Sequence, residues 1–139
     1  MYPASTIFLN KSCNRSNRVT IFSNKEYIFW LVLGAEVAKS VNADLLILLS
    51  DIDGLYTADP HKDPNAKLIS CVTKLDDSIY ALAGGKGSAF GTGGMVTKLN
   101  AAKICMDCGC DMIITNGANT QNIYDAIAGD AIGTRFTVK

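Results

Sequence analysis

The sequence predicts a layered α/β protein with a largely parallel sheet, and three observations lead there. From residue 33 onward, segments of helical and strand character alternate. Residues 45–49 read Leu-Leu-Ile-Leu-Leu, a short continuous apolar run of the kind shown by a strand buried on both faces. Six of the 12 glycines fall within residues 84–94, directly ahead of a helix-like segment. Glycines let backbone approach an anion closely, and a helix start offers N–H groups and a positive dipole end.

Each element has its own local warrant. Residues 1–25 are rich in Asn, Ser, Lys and Arg, and residues 27–33 form an apolar burst too short to span a membrane and without a clear signal cleavage site. Residues 33–41 are helix-like, and the apolar strand 45–49 stops at Ser50. Asp51-Ile52-Asp53-Gly54 reads as a turn, and residues 56–60 continue as an extended loop studded with turn residues. A short strand over 68–72 and a helix over 76–83 lead into the glycine loop. A helix over 95–108 closed by Gly109 comes next, then a strand at 112–115, an Asn116-Gly117 turn, a helix at 120–128 and a last strand at 134–138.

Composition narrows the function classes. A chain of 139 residues, 48% apolar and 19% charged, can bury one core, which means a single domain or a large piece of one. Thirteen basic residues balance thirteen acidic ones, and no basic stripe with interleaved aromatics argues for nucleic acid. Five cysteines, at 13, 71, 105, 108 and 110, are an odd number that suits reduced thiols in the cytoplasm better than a secreted disulfide framework. Cys105, Cys108 and Cys110 lack the fourth ligand a structural zinc needs, so Cys105 and Cys108, three apart on a helix, read as small buried hydrophobes. His61 sits between Asp59-Pro60 and Lys62-Asp63-Pro64, which is turn chemistry and not the setting of a general base.

The candidate site lies where ligands collect in open parallel sheets, beyond the carboxyl ends of the strands. Ser50 and Asp51 occupy one such end, and residues 115–117 another. Taken alone, Asp51 and Asp53 read as an Asx turn, and Thr92 and Thr97 as capping or solvated hydroxyls. Together with the glycine loop and Lys98, one turn into the helix after it, they form a coherent nucleotide site in which the lysine ammonium meets phosphate. Neither Gly-x-Gly-x-x-Gly nor Gly-x4-Gly-Lys-Ser/Thr is present, so this is not a dinucleotide fingerprint or a Walker loop.

The segments Asn42-Ala43-Asp44-Leu45-Leu46-Ile47-Leu48-Leu49-Ser50-Asp51-Ile52-Asp53-Gly54-Leu55-Tyr56-Thr57-Ala58-Asp59-Pro60 and Gly91-Thr92-Gly93-Gly94-Met95-Val96-Thr97-Lys98-Leu99-Asn100-Ala101-Ala102 closely resemble the ATP-binding half of the glutamate 5-kinase family, within the amino acid kinase superfamily. The resemblance runs from about residue 33 to 136 and includes Gly117 and Gly133-Thr134-x-Phe136. It implies the C-terminal portion of a three-layer αβα sandwich with a mainly parallel sheet, and phosphoryl transfer from ATP to L-glutamate, with Mg2+, toward proline. Ser50 and Asp51 would then contact the nucleotide, while Thr92, Gly93, Gly94, Met95, Val96, Thr97 and Lys98 wrap its phosphates. Lys98 would neutralise charge on the transferring group as the catalytic residue. The resemblance also allows a homo-oligomer of small-molecule specificity, with no nucleic-acid or membrane partner, and leaves the magnesium ligands unassigned.

Two departures qualify these expectations. The family carries an N-terminal lobe with its own lysine and glycine-rich phosphate loop, which has no counterpart here, and a Phe-Gly-Asp-Asn-Asp segment that helps bind glutamate. At that place this chain reads Phe29-Trp30-Leu31-Val32, which cannot meet an amino acid's ammonium and carboxylate. Residues 1–32 are therefore expected to be a leader foreign to the rest of the chain, disordered or covering apolar surface, as in a truncated or frame-disrupted gene. Residues 33–139 form the nucleotide-binding half-domain. A nucleotide-binding remnant without catalysis, and a relative with another acceptor, stay open beside the kinase reading.

Overall fold

The computed structural model describes residues 5–9, 21–23, 27–84 and 94–138, with side chains over 31–84 and 94–138. Among the described residues six strands form one sheet: β1 (Ser5–Leu9), β2 (Ile21–Ser23), β3 (Leu45–Ser50), β4 (Cys71–Val72), β5 (Asp111–Asn116) and β6 (Thr134–Phe136), in the spatial order β2-β1-β3-β5-β6-β4. The described residues also form four helices: α1 (Tyr27–Ser40), α2 (Asp77–Leu82), α3 (Met95–Asp107) and α4 (Gln121–Ala128).

β3 is buried along its whole length, as a continuous apolar run requires, and its two faces serve two cores. Leu46 and Leu48 pack with Met112 and Ile114 of β5 against α1 and α3. Leu45, Ile47 and Leu49 point the other way, with Ile113, against Ala126 and Ile123 of α4. The period-two alternation of strand side chains thus produces three layers from one sequence run.

Small residues set the first helical layer. Ala35 and Ala38 of α1 and Ala101, Ala102 and Cys105 of α3 are essentially inaccessible to solvent, so the two helices pack closely over the sheet. The adjacent Cys110 thiol and burial push the Cys105 thiol well above its ordinary range, which leaves it an inert core group. Cys110 is likewise buried, whereas Cys108 is exposed, with its thiol turned to the Cys105 carbonyl at 3.1 Å. The expectation of a buried Cys108 is corrected, because Cys108 is the C-cap of α3 and Gly109 comes next in the left-handed conformation.

Strand directions are mixed. β3 pairs with β5, and β4 with β6, in parallel, while β1 runs antiparallel to both β2 and β3, and β6 runs antiparallel to β5. The helix–strand alternation that suggested a mainly parallel sheet holds at its centre. It gives way beyond β5, where α4 ends at Gly129 in the left-handed conformation and the chain re-enters the sheet in the opposite sense. Helix α1 begins at Tyr27, six residues before the expected start. The stretch 27–32 contains no glycine or proline to stop a helix, and its lack of amphipathic spacing had disguised it.

Candidate functional site

β3 and β5 end side by side, with Ser50 in register with Asn116. The Gly117 N–H donates to the Ser50 carbonyl at 2.8 Å, closing the end of the parallel pair. A side chain at Gly117 would press on Leu49 at 3.1 Å, so glycine suits this close approach. Ser50 is buried and its hydroxyl donates to the Asp51 carboxylate at 3.0 Å, while Asp51 itself is exposed just beyond the end of β3.

The start of α3 supplies the second half. Gly94 is its N-cap in an extended conformation, and no side chain caps the end. Met95 and Val96 are half-buried against the core, and Thr97 and Lys98 are buried, with Lys98 7% exposed. A lysine tolerates this by laying its methylene stem along apolar neighbours. Burial draws the Lys98 ammonium below the usual lysine range, and the Asp51 carboxylate opposes that shift. Lys98 and Asp51, from different elements and 47 positions apart in sequence, therefore share one electrostatic environment. Thr92, Gly93 and the rest of the loop 85–93 lie outside the described residues.

A third component joins the strand ends to the loop that leaves β3. The Asp53 carboxylate accepts from the Asn116 amide at 2.9 Å and from the Tyr56 hydroxyl at 3.0 Å, which raises the Tyr56 phenol above its ordinary value. Asp53 is thus a cross-link between β5 and this loop, and not the local Asx turn that its sequence suggested when taken alone. Residues 55–57 and 67–69 then run side by side: Ile69 N–H donates to the Leu55 carbonyl at 2.8 Å, Thr57 N–H to the Lys67 carbonyl at 2.9 Å, and Lys67 N–H to the Thr57 hydroxyl at 2.9 Å. Leu68, expected in a strand, forms a single bridge with Tyr56 instead.

Between this loop, the end of α2 and the start of α3 lies a cleft of about 340 Å³. Ile52, Leu55, Tyr56, Pro60, Leu82 and Met95 give it a mainly apolar lining. His61 stands at its edge in the expected turn, its backbone N–H donating to Asp59 at 3.0 Å, while Lys62 pairs with Asp59 at 3.5 Å. Sequence reasoning missed the roles of Asn116 and Tyr56 in fixing Asp53, and of Thr134, which reaches the same loop from β6. An Asn closing a buried strand opposite an Asp-rich turn was the available signal for the first. Among the described residues no three His, Cys, Asp or Glu side chains gather as a metal cage would need. No described helix is long and apolar enough to cross a membrane.

The fold is that of a three-layer α/β protein in which Ser50 and Asp51 stand at the carboxyl end of a parallel strand and Lys98 is buried near a helix start. The chain belongs to the amino acid kinase family, whose model matches residues 32–116. It is 55% identical over 108 residues to a glutamate 5-kinase of Listeria monocytogenes, covering 78% of this chain and 39% of that protein. The chain thus spans about two fifths of the length of the curated relatives it matches. The uridylate kinase of Archaeoglobus fulgidus superposes with a TM-score of 0.59 at 25% identity, over 77% of this chain and 46% of that one. Carbamate kinase from Giardia lamblia shares the fold, with a TM-score of 0.58 at 23% identity over 89% of this chain and 38% of that one.

Proposed function

We propose that this chain carries the ATP-binding lobe of an ATP-dependent phosphorylation of L-glutamate to L-glutamyl 5-phosphate. The observation that carries this reading is the buried Lys98 in the first turn of α3, set opposite the Asp51 carboxylate at the end of β3. Burying an ammonium is unfavourable even with a carboxylate nearby, and an anion arriving at the helix start offsets that cost. The 55% identity with a glutamate 5-kinase favours glutamate over the other acceptors used by this fold.

In this reading Lys98 holds the terminal phosphates, Thr97 and the Gly94, Met95 and Val96 backbone line their path, and Ser50 and Asp51 contact the nucleotide. Thr92 and Gly93 complete the wrap around the phosphates. The apolar cleft beside Tyr56 takes the nucleoside. A carboxylate oxygen of glutamate attacks the γ-phosphorus, forming an O–P bond as the bond to the β-phosphate oxygen breaks and ADP leaves. Such transfer depends on positioning and on neutralising the phosphoryl oxygens, which is what a preorganised lysine supplies. Magnesium, when bound, adds charge neutralisation on the phosphates. It needs few protein carboxylates, and the exposed Asp51 is the one beside Lys98 that would hold it or its waters. The protein would act as a soluble cytoplasmic enzyme, in a homo-oligomer.

One observation favours a second reading, a nucleotide-binding module without turnover. Leu31 is buried in the core at the place where an acceptor site would need carboxylate and amide groups. Glutamate-dependent release of ADP from Mg-ATP by the purified chain tests the choice. Turnover supports the kinase reading, Mg-ATP binding without turnover supports the module, and absence of binding overturns both.

A further inference from the structure

Thr134 is wholly buried, yet its hydroxyl does two jobs at once. It accepts from the Leu55 N–H at 2.8 Å and donates to the Ile69 carbonyl at 2.6 Å. Because Ile69 N–H also donates to the Leu55 carbonyl at 2.8 Å, the three residues form a closed ring of hydrogen bonds. The ring joins β6 to both arms of the loop that walls the apolar cleft. Gly54 makes the approach feasible, since a Cβ there would lie 2.5 Å from the Thr134 hydroxyl oxygen. Neither valine nor alanine can both donate and accept at this point, and serine can.

We propose that Thr134 is a positioning residue for nucleoside recognition: through its paired hydrogen bonds to Leu55 and Ile69 it fixes the cleft wall bearing Leu55 and Tyr56 against the end of the sheet. This rests on the reading of that cleft as the nucleoside site. The three hydrogen bonds of the ring involve neither Lys98 nor the start of α3, so loss of the hydroxyl acts first on the cleft wall and not on the lysine. Loss of the hydroxyl therefore loosens the grip on the nucleoside and leaves the grip on phosphate.

The test is calorimetric titration of the full chain and of Thr134→Val, Thr134→Ala and Thr134→Ser with adenosine, with inorganic tripolyphosphate and with Mg-ATP, folding being checked by circular dichroism. The valine and alanine variants are expected to lose about tenfold in adenosine affinity, the size of one buried hydrogen bond, with tripolyphosphate affinity unchanged. The serine variant is expected to restore adenosine binding. Equal loss for both ligands, no loss for either, or failure of both the valine and alanine variants to fold would overturn the proposal. Absence of adenosine binding by the unmutated chain would instead remove the reading of the cleft on which it rests.

Discussion

The Asn116 side chain donates to the Asp53 carboxylate at 2.9 Å across 63 positions of sequence, and this contact ties the end of β5 to the loop leaving β3. Tyr56 holds the other oxygen of the same carboxylate. The loop that carries the cleft is thereby referenced to the two parallel strands that end beneath it. Asn116→Ala is expected to lower stability by about 1 kcal/mol, the net worth of a hydrogen bond to a charged but exposed partner, and to weaken Mg-ATP binding severalfold. Urea unfolding and nucleotide titration read the two effects; unchanged binding would separate Asp53 from the site.

Lys98 should show a trade between function and stability. Its buried ammonium is disfavoured in the folded chain, so Lys98→Met is expected to raise stability by about 1 kcal/mol at neutral pH while weakening the triphosphate end far more than adenosine. The folded chain holds this proton less tightly than the unfolded chain, whose lysine titrates near 10.5. Stability contributed by this group therefore rises with pH between the lowered value and 10.5, and the methionine variant should lack that rise. Equal loss for adenosine and ATP would contradict the assigned role.

Gly133 adopts φ +58°, and a Cβ there would overlap the Ile114 carbonyl oxygen. That oxygen is backbone of a central strand and cannot swing aside. Gly133→Ala is expected to cost about 3 kcal/mol, through left-handed strain and displacement of β6. A urea midpoint close to that of the unmodified chain would show the turn to be more compliant than its geometry implies.

Asp76 caps α2, its carboxylate accepting from the Ser78 and Ile79 N–H groups, and the Ser78 contacts hold it below the usual carboxylate value of 3.8. A depressed folded value means stability present above 3.8 and lost as pH falls through the folded value. Asp76→Asn, an almost equivalent cap, should change neutral-pH stability little and flatten the acid limb below about pH 4, as a pH series of thermal midpoints would show. An unchanged acid limb would assign that loss to other carboxylates.

Much of the architecture was legible in residue patterns, and the omissions have physical causes. Leu45–Ser50 announced itself because a strand covered on both faces has no polar alternation, and α3 did so through its glycine start and Gly109 stop. The early part of α1 stayed hidden because an apolar run without periodicity does not distinguish helix from leader. In the candidate site, the placement of Ser50 and Asp51 at a strand end and of Lys98 near a helix start was legible because strand ends and helix starts have sequence signatures. The fastening of the cleft could not, since Asn116 and Thr134 act through contacts 63 to 79 residues away that no local spacing encodes.

The strand-end pair Ser50-Asp51 and the buried Lys98 are proposed to act as one phosphate-handling site, on which the functional reading depends. Calorimetric titration of the chain with Mg-ATP and with adenosine, repeated on Lys98→Met, tests this most directly. Mg-ATP is expected to bind more tightly than adenosine, with that advantage abolished in the variant. Equal affinities in the unmodified chain, or an advantage that survives the substitution, would contradict the assignment.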